Sequence, residues 1–407
     1  MSIVVHNRPM QPNSTFSDMG IDEKILASLN KFKIISPTPI QHKAIPVGLE
    51  GKDIIGIAQT GTGKTIAFAV PIIQRLAKMN GTALIILPTR ELAIQVEESF
   101  KKFGHMFNLK STVLIGGKHM GMQIRELHRN PRVVIGTPGR LIDHLKRRTL
   151  NLKEVKILVL DEADRMLDMG FAPQINEILR SVPRERQTML FSATMPDNIV
   201  KIATTHMKLP IRVEIARSGT TAERVEHEFF IVDANKKNRL LEAVLNQYKG
   251  TVLVFSRTKF GAKRICALVR HMGMTAAEIH SNRSLSQRIE ALEGFKSGKY
   301  RILVATDIAA RGIDVTNIEL VVNYDIPEFA EDYVHRIGRT GRAGETGRAI
   351  TFATPDQNHK IKHIERLIRI VLRISKLPLL PPDRFVPTVQ RDREPSRQHS
   401  RFSHRRR

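Results

Sequence analysis

The sequence predicts an α/β protein made of two parallel-sheet domains that a short linker joins. Short apolar runs rich in β-branched residues alternate with helical stretches along most of the chain. Such alternation is typical of parallel sheets whose two faces are both covered by helices. The chain has 407 residues, which is too long for a single hydrophobic core. Polar clusters follow the ends of many apolar runs, where open parallel sheets bind their ligands.

The apolar runs divide into two groups, and each group predicts the strands of one domain. In the first half we predict strands over residues 54–57, 83–87, 112–115, 133–135, 157–160 and 188–191. In the second half we predict strands over residues 228–232, 251–255, 276–279, 302–305, 320–322 and 349–352. A polar stretch separates the two groups. The predicted domains are therefore residues 1–216 and 225–376, with a linker over residues 217–224.

The C-terminal region has a different pattern. Apolar residues at helical spacing predict a helix that packs on the second domain, formed by Ile361, Ile364, Leu367, Ile368, Val371 and Leu372. Prolines then end regular structure, and arginine dominates from Arg391 onward. Residues 377–407 are therefore predicted to be a Pro-rich and then Arg-rich tail that is basic and disordered.

Composition and the absence of targeting signals narrow the class of protein. Hydrophobic residues make up 41% of the chain and charged residues 26%, as in soluble globular proteins. No apolar run in the sequence is long enough to span a membrane, and the first 15 residues do not resemble a signal peptide. The single cysteine, Cys266, cannot form an internal disulfide and is expected to be a buried thiol. We therefore expect a cytoplasmic protein.

The net charge of +25 indicates a polyanionic partner. The excess of Lys and Arg is spread over both halves and the C-terminal tail, which favours a long nucleic acid gripped by the whole molecule. The alternative is a basic surface that only keeps the protein soluble, but such surfaces seldom give a pI near 10.4.

Residues 58–65, with the sequence AQTGTGKT, are a candidate phosphate-binding loop. Gly61, Gly63 and the neighbouring backbone amides can surround phosphate oxygens at the start of the helix that follows. Lys64 is predicted to reach the β- and γ-phosphates, and the Thr65 hydroxyl is predicted to bind Mg²⁺. The first glycine of the strict motif is Ala58 here, so the interpretation needs support from a second segment.

That support comes from Asp161-Glu162-Ala163-Asp164, which follows a predicted buried strand. A strand that ends in two adjacent carboxylates can place one on a metal ion and the other on a water molecule. We predict that Asp161 holds Mg²⁺ through water and that Glu162 orients and deprotonates the attacking water. The alternative is an exposed acidic helix start, which leaves the phosphate loop without a partner. Together the two segments predict a site that hydrolyses a nucleoside triphosphate.

A basic segment in the second domain, residues 335–342 with the sequence HRIGRTGR, predicts arginine fingers. Three arginines spaced by three residues bring their guanidinium groups near one another on a helix, where they repel unless an anion is present. Arg339 and Arg342 suit contact with a γ-phosphate. The alternative is a basic turn that faces nucleic acid or solvent. With fingers on one domain and the phosphate loop on the other, hydrolysis would require domain closure.

These residues and other segments in the same order resemble the DEAD-box ATP-dependent RNA helicases of superfamily 2, in particular their short bacterial RhlE-like branch. The resemblance covers about 360 positions and rests on nine segments: PTPIQ at 37–41, AQTGTGKT at 58–65, PTRELA at 88–93, GG at 116–117, TPGR at 137–140, DEAD at 161–164, SAT at 192–194, TDIAARGID at 306–314 and HRIGRTGR at 335–342.

The resemblance implies two RecA-like domains, with ATP and Mg²⁺ as cofactors and RNA as the partner. It assigns nucleotide binding to an adenine-recognition element at residues 14–42 and to the phosphate loop, with Phe16, Ile34, Gln41, Gly61, Thr62, Gly63, Lys64, Thr65 and, from the second domain, Asp314. It assigns the coupling of hydrolysis to strand separation to Asp164, Ser192, Thr194 and His335. It assigns contacts with the RNA backbone to Arg90, Gly117, Thr137, Arg140 and Thr306.

The chain departs from the family pattern at three places. Lys33-Ile34 stands where the family usually has glycine and an aromatic residue, so the expected contact with adenine is aliphatic. His280-Ser281 replaces a common His-Gly. Leu285 stands where glutamine is usual, although Arg288 is retained.

The predicted function is RNA-stimulated ATP hydrolysis coupled to domain closure, with local unwinding of short RNA duplexes or remodelling of RNA–protein complexes. Backbone contacts imply a weak sequence preference for single-stranded and short duplex RNA. One alternative is an ATP-gated RNA clamp without productive unwinding. A second alternative is a DNA helicase or translocase, which the absence of a visible DNA-tracking insertion disfavours.

Overall fold

Two separate parallel sheets form the framework of the molecule. A computed structural model describes residues 4–5, 15–59, 61–215, 225–310, 318–341 and 347–382. In these ranges the sheets have eight and seven strands. Each sheet has hydrophobic clusters on both of its faces, as in Ile54 and Ile55, which belong to different clusters. The predicted α/β fold with two parallel-sheet units is confirmed.

The first sheet has the strand order β1-β8-β2-β7-β6-β3-β5-β4. Its strands are β1 Val4–Val5, β2 Ile54–Ile57, β3 Thr82–Ile86, β4 Ser111–Leu114, β5 Val133–Gly136, β6 Val155–Leu160, β7 Gln187–Ser192 and β8 Ile211–Glu214. The helices of this half are α1 Glu23–Lys31, α2 Pro39–Leu49, α3 Lys64–Lys78, α4 Arg90–Gly104, α5 Met120–Leu127, α6 Pro138–Lys146, α7 Ala163–Asp168, α8 Ala172–Ser181 and α9 Asp197–His206.

The second sheet has the strand order β11-β12-β10-β13-β14-β9-β15. Its strands are β9 Val225–Ile231, β10 Val252–Phe255, β11 Ala276–Ile279, β12 Ile302–Ala305, β13 Leu320–Asn323, β14 Gly347–Ala353 and β15 Arg373–Ile374. The helices are α10 Lys237–Gln247, α11 Lys259–His271, α12 Leu285–Lys296, α13 Asp307–Ala310, α14 Ala330–Ile337 and α15 Asn358–Ile368. Short 3₁₀ helices cover Phe16–Met19, His105–Phe107, Ala234–Lys236 and Pro355–Gln357.

All twelve predicted strands are present, with ends that differ by a few residues. Three further strands, β1, β8 and β15, were not predicted, and each ends or nearly ends a sheet. β1 and β15 have only two residues each, which is too short for a recognisable hydrophobic pattern.

The predicted C-terminal helix packs on the second domain but is shorter than its apolar pattern suggests. α15 ends at Ile368, because Arg369 has a left-handed backbone (φ 58°). Leu372 still packs with Ile361 and Ile364, whereas Val371 is 90% exposed. The extension of the helix to residue 372 was therefore wrong.

The structure also bears on the predicted state of Cys266 and on the search for membrane-spanning helices. Cys266 is buried, and this burial raises the pKa of its thiol to about 11, as expected for an unreactive thiol. Among the described residues, no helix combines the length and the apolar character needed to cross a membrane. The predicted linker and the Arg-rich part of the tail lie outside the described residues.

Candidate active site at the facing edges of the two domains

The parallel topology collects the predicted site residues at one edge of the first sheet. β2, β7 and β6 are direct neighbours in the sheet and run in the same direction. The phosphate-loop candidate follows β2, residues 193–196 follow β7, and Asp161 follows β6. Three segments that are distant in sequence therefore meet at the carboxyl ends of adjacent strands.

The phosphate-loop candidate runs into α3, and Gly63 is the residue directly before this helix. Gly63 has a left-handed backbone (φ 88°), and a Cβ atom there would lie 2.3 Å from Gln41 Nε2. Only glycine fits this position without displacing Gln41. Lys64 is buried, and its Nζ donates a hydrogen bond of 3.0 Å to the Ala58 carbonyl. Thr62 Oγ1 donates to the Gln59 carbonyl, and Thr60 lies outside the described residues.

Gln41 joins the start of α2 to the phosphate loop. Its Oε1 accepts a hydrogen bond from the Thr38 amide at 2.9 Å, and its Nε2 donates to the Gly63 carbonyl at 3.1 Å. Phe16 and Ile34 pack with the hydrophobic core of the same domain, and Phe16 is only 4% exposed. Lys33 has a left-handed backbone (φ 58°), which gives a physical reason for the glycine that the family usually has there.

Asp161 and Glu162 are both buried, and their environments differ. Burial raises the pKa of Asp161 to about 6, although its carboxylate accepts a hydrogen bond of 2.9 Å from the Glu162 amide. Burial also acts to raise the pKa of Glu162, but the charges of Arg165, Lys64 and Arg339 outweigh it and lower that pKa below its usual value. Glu162 also has a left-handed backbone (φ 53°). The pKa values of the two adjacent carboxylates are therefore shifted in opposite directions.

The residues at this edge fit a magnesium ion bound together with a phosphate. Among the described residues, no group of three or more His, Cys, Asp or Glu side chains could hold a metal ion alone. Mg²⁺ usually takes one or two protein oxygens and completes its shell with water and substrate phosphates. The buried Asp161 carboxylate, whose raised pKa reflects the cost of burying its charge, would gain a compensating cation there. Thr65 lies at the start of the adjacent helix α3.

Asp164 connects the acidic segment to the loop after β7. Its Oδ2 accepts hydrogen bonds of 3.0 Å from the Ala193 amide, the Thr194 amide and the Thr194 hydroxyl. The Asp164 amide donates to Ser192 Oγ at 3.3 Å. The structure thus brings together three of the four residues predicted to couple hydrolysis to strand separation.

The fourth coupling residue, His335, approaches from the second domain. Burial and the charge of Arg165 lower the pKa of His335 to about 4, against the opposing effect of Asp164. Arg339, two residues after α14, is also buried, and its charge lowers the pKa of Glu162. Asp164, Arg165, His335 and Arg339 lie where the end of α14 meets the acidic segment of the first domain. We call these four residues the carboxylate seam.

Arg336, the first of the three arginines expected to repel one another unless an anion is present, has a carboxylate beside it. Its guanidinium group forms two hydrogen bonds with the Asp307 carboxylate, at 2.5 and 2.7 Å, and lies over the Phe255 ring. It also donates to the Asn323 side chain and the Asp325 carbonyl. Arg336 therefore has its counter-ion within the second domain. Arg342 and Asp314 lie outside the described residues.

The residues predicted to grip a nucleic acid backbone form a basic group on the first domain. The Arg90 guanidinium lies beside the glycine pair, and a Cβ atom at Gly117 would be 2.7 Å from Arg90 Nη1. Arg140 donates a hydrogen bond of 3.1 Å to the Lys118 carbonyl, and Thr137 directly precedes α6. Burial and the charges of Arg288 and Arg140 lower the pKa of Arg90. Thr306 follows β12 in the second domain.

A second contact between the domains was missed by the sequence analysis. Leu285 at the start of α12 is 9% exposed and packs with the hydrophobic core of the first domain, together with Ile289. Arg288 Nη2 lies 2.5 Å from Glu91 Oε2 on α4. We call Glu91, Leu285, Arg288 and Ile289 the α4–α12 seam. Its only signal in the sequence was the apolar Leu285 at a usually polar position.

Comparison with known proteins identifies the family. The sequence profile described as DEAD/DEAH box helicase matches residues 38–202, and the helicase conserved C-terminal domain matches residues 235–344. The ATP-dependent RNA helicase CshA of Listeria monocytogenes is 48% identical over 353 residues, which cover 86% of this chain and 68% of the relative. The chain belongs to the DEAD/DEAH box helicase family. The Bacillus subtilis CshA is 42% identical and covers 90% of this chain and 75% of its own length.

Solved structures of the family share the arrangement of the two sheets. Mss116p bound to single-stranded RNA and AMP-PNP has a TM-score of 0.82 at 28% identity, and the match covers 92% of this chain and 82% of that chain. Saccharomyces cerevisiae Dbp5 bound to RNA and ADP BeF3 has a TM-score of 0.77 at 29% identity, with 87% and 93% covered. The two-domain RecA-like fold expected from the sequence is thereby confirmed.

Proposed function

We propose that this DEAD-box RNA helicase closes its two domains around ATP and RNA and opens short RNA duplexes locally. The observation that carries the proposal is the carboxylate seam, in which the end of α14 meets the buried carboxylates beside the phosphate loop. Hydrolysis groups on one domain and an arginine on the other make turnover depend on closure.

The roles of the individual residues follow from their chemistry. Bound Mg²⁺, held by Thr65 and Asp161, would neutralise charge on the β- and γ-phosphates. The oxygen of a water molecule forms a bond to the γ-phosphorus, and the bond from that phosphorus to the bridging oxygen breaks. The electron pair stays on ADP, and the water proton passes to Glu162. Lys64 and Arg339, with Arg342, stabilise the negative charge that spreads over the transferred group.

Binding of the nucleotide base uses the adenine-recognition element. Gln41 is suited to read the adenine edge because its amide is already fixed between Thr38 and the phosphate loop. Ile34 supplies an aliphatic contact, Phe16 supports the element from the core, and Asp314 contributes from the second domain as a ribose contact. These assignments select ATP as the nucleotide.

RNA binding uses the basic group of the first domain together with Thr306. Arg90 and Arg140 pair with phosphates, while Gly117 and Thr137 allow close approach of the backbone. Contacts of this kind follow backbone shape and 2′-hydroxyl groups, so the sequence preference is weak. One strand held in a bend that its partner cannot follow would separate a short duplex. We also propose that the protein is cytoplasmic and that it belongs to the RhlE-like branch of the family.

The decisive experiment measures ATP turnover and strand displacement on the same short duplexes. We expect RNA to stimulate ATP hydrolysis and a short RNA duplex to be opened, with a DNA duplex of the same sequence giving little of either. Stimulation without strand displacement would indicate an ATP-gated RNA clamp instead. Equal stimulation by DNA would contradict the assignment to RNA.

A further inference from the structure

Arg165 is a buried cation in direct contact with the proposed base. It lies in the first turn of α7, three residues after Glu162, and is 2% exposed. Its Nη1 donates hydrogen bonds of 2.8 Å to both carboxylate oxygens of Glu162. None of the nine segments on which the resemblance rests includes this position, which directly follows the acidic segment.

Glu162 needs such a contact because its backbone does not fix the side chain. Its left-handed conformation (φ 53°, ψ 47°) is unfavourable for a residue with a Cβ atom. The backbone amide is held by Asp161, but this contact leaves the side-chain torsions free. A base must lie within hydrogen-bond reach of the proton that it removes, so uncontrolled rotation would reduce the fraction of productive geometries. Arg165 removes that freedom.

The position of Arg165 also links Glu162 to the carboxylate seam. Its backbone amide donates a hydrogen bond of 3.0 Å to Asp164 Oδ1. Its charge acts on His335 from the second domain. One side chain thus lies between the group proposed to activate water and the groups proposed to sense domain closure.

We propose that Arg165 is a positioning residue that holds the Glu162 carboxylate in its hydrolytic orientation and ties that orientation to the carboxylate seam. This inference rests on the proposed role of Glu162 as the base. A single nitrogen bonds both oxygens from one side, so each oxygen keeps a lone pair for water. Stability alone is a weak explanation for the pair, because buried ion pairs are often replaceable by apolar residues without loss.

The test is a double-mutant cycle. Arg165→Lys and Arg165→Met are prepared alone and together with Glu162→Gln, and Arg180→Met on the exposed side of α8 serves as the matched control. Single-turnover ATP hydrolysis at saturating RNA gives the rate, and a fluorescent ATP analogue gives the nucleotide affinity. Thermal unfolding of each variant shows whether the fold is retained.

We expect Arg165→Met to lower the hydrolysis rate by about 10²-fold, with nucleotide affinity changed by less than about threefold. Arg165→Lys should restore part of the rate, because it keeps the charge without the same hydrogen bonds. In the Glu162→Gln background neither substitution of Arg165 should lower the rate further, because the effects of substituting two residues that act through one another do not add.

Two outcomes would overturn the inference. One is the same loss of rate with and without Glu162, which would indicate a general structural effect. The other is an unchanged or increased rate in a folded Arg165→Lys or Arg165→Met variant, which would indicate that Arg165 does not hold Glu162 for hydrolysis. If Glu162→Gln alone hydrolyses ATP at the wild-type rate, Glu162 is not the general base and the proposed function is wrong. That result is distinct from the two outcomes that would overturn the role of Arg165.

Discussion

The two seams between the domains have opposite chemistry. The carboxylate seam brings together the buried ionisable groups Asp164, Arg165 and Arg339 and the half-buried His335. The α4–α12 seam buries two aliphatic side chains, Leu285 and Ile289, beside the ion pair of Arg288 with Glu91. One seam therefore joins the domains through charge, and the other mainly through apolar burial.

This difference in chemistry implies that the carboxylate seam favours domain closure only when nucleotide is bound, whereas the α4–α12 seam favours closure in every ligand state. Burying charged groups is unfavourable unless opposite charges compensate them, so the carboxylate seam is best satisfied when nucleotide phosphates are present. Burying aliphatic surface is favourable in any ligand state, at about 25 cal/mol per Å². The α4–α12 seam should therefore add a constant stabilisation of the closed form, on which ATP and RNA then act.

The largest expected effect is on the carboxylate seam. Arg339→Ala should lower RNA-stimulated turnover on the order of 10³-fold, because an arginine finger stabilises the transition state. Nucleotide affinity of the first domain should change little, since Arg339 belongs to the other domain. Arg366→Ala on the exposed face of α15 is the control. Unchanged turnover in Arg339→Ala would show that the carboxylate seam does not make ATP turnover depend on domain closure.

A smaller effect is expected when the ion pair of the α4–α12 seam is broken. Glu91→Gln leaves the half-buried Arg288 without its counter-charge, which costs about 3 kcal/mol in the closed form. We therefore expect a loss of about 10²-fold in closed population, measured by energy transfer between dyes on the two domains. Glu98→Gln, at an exposed position of the same helix, should have no effect. Equal energy transfer in both variants would show that the pair adds nothing to closure.

The apolar part of the same seam can be tested separately. Leu285→Ala should weaken closure by about 2 kcal/mol, through lost burial against the first domain. The loss should be the same with ATP, with ADP and with RNA alone, because apolar contacts do not depend on the ligand. Leu367→Ala at an exposed position on α15 is the control. A loss confined to the ATP state would contradict the unconditional role of this seam.

The smallest expected effect is a pH dependence of the carboxylate seam. Burial and Arg165 lower the pKa of His335 from 6.5 to about 4, while Asp164, Asp332 and Arg339 also act on it. With the domains apart His335 is expected to titrate near 6.5, so below that pH the open form binds a proton that the closed form excludes. The stability of the closed form is thus lost as the pH falls from 6.5 towards 4.

Between pH 7.5 and pH 6.0 this linkage weakens closure by about fourfold. ATP-dependent RNA affinity measured at both pH values should show the loss, and the neutral variant His335→Gln should not. The same pH dependence in His335→Gln would assign it to another group. Leu285→Ala should keep the dependence, because it leaves the carboxylate seam intact.

The sequence predicted the elements that depend on a local residue pattern. It did not predict the features that depend on contacts between residues distant in sequence. Long strands such as β6 and β7 have clear apolar runs, and the polar segments after them define the site edge. The two-residue strand β15 forms only because β9 lies beside it. Arg336 shared the spacing of Arg339, but its bond with Asp307 brings together residues 29 positions apart. Leu285 was apolar at a usually polar position, but the sequence did not show that the other domain covers it.

The left-handed backbone of Glu162 shows that the first domain accepts backbone strain to keep a carboxylate at this position. A glycine at this position would adopt φ 53° without steric cost and would relax the chain between β6 and α7. The resulting protein would lack the proposed base, and the buried Arg165 would lose its counter-charge, which offsets the relief of backbone strain. The domain thus carries a local backbone strain at Glu162, and the chemistry of the carboxylate, together with its ion pair to Arg165, explains why a strained glutamate stands here and not a glycine.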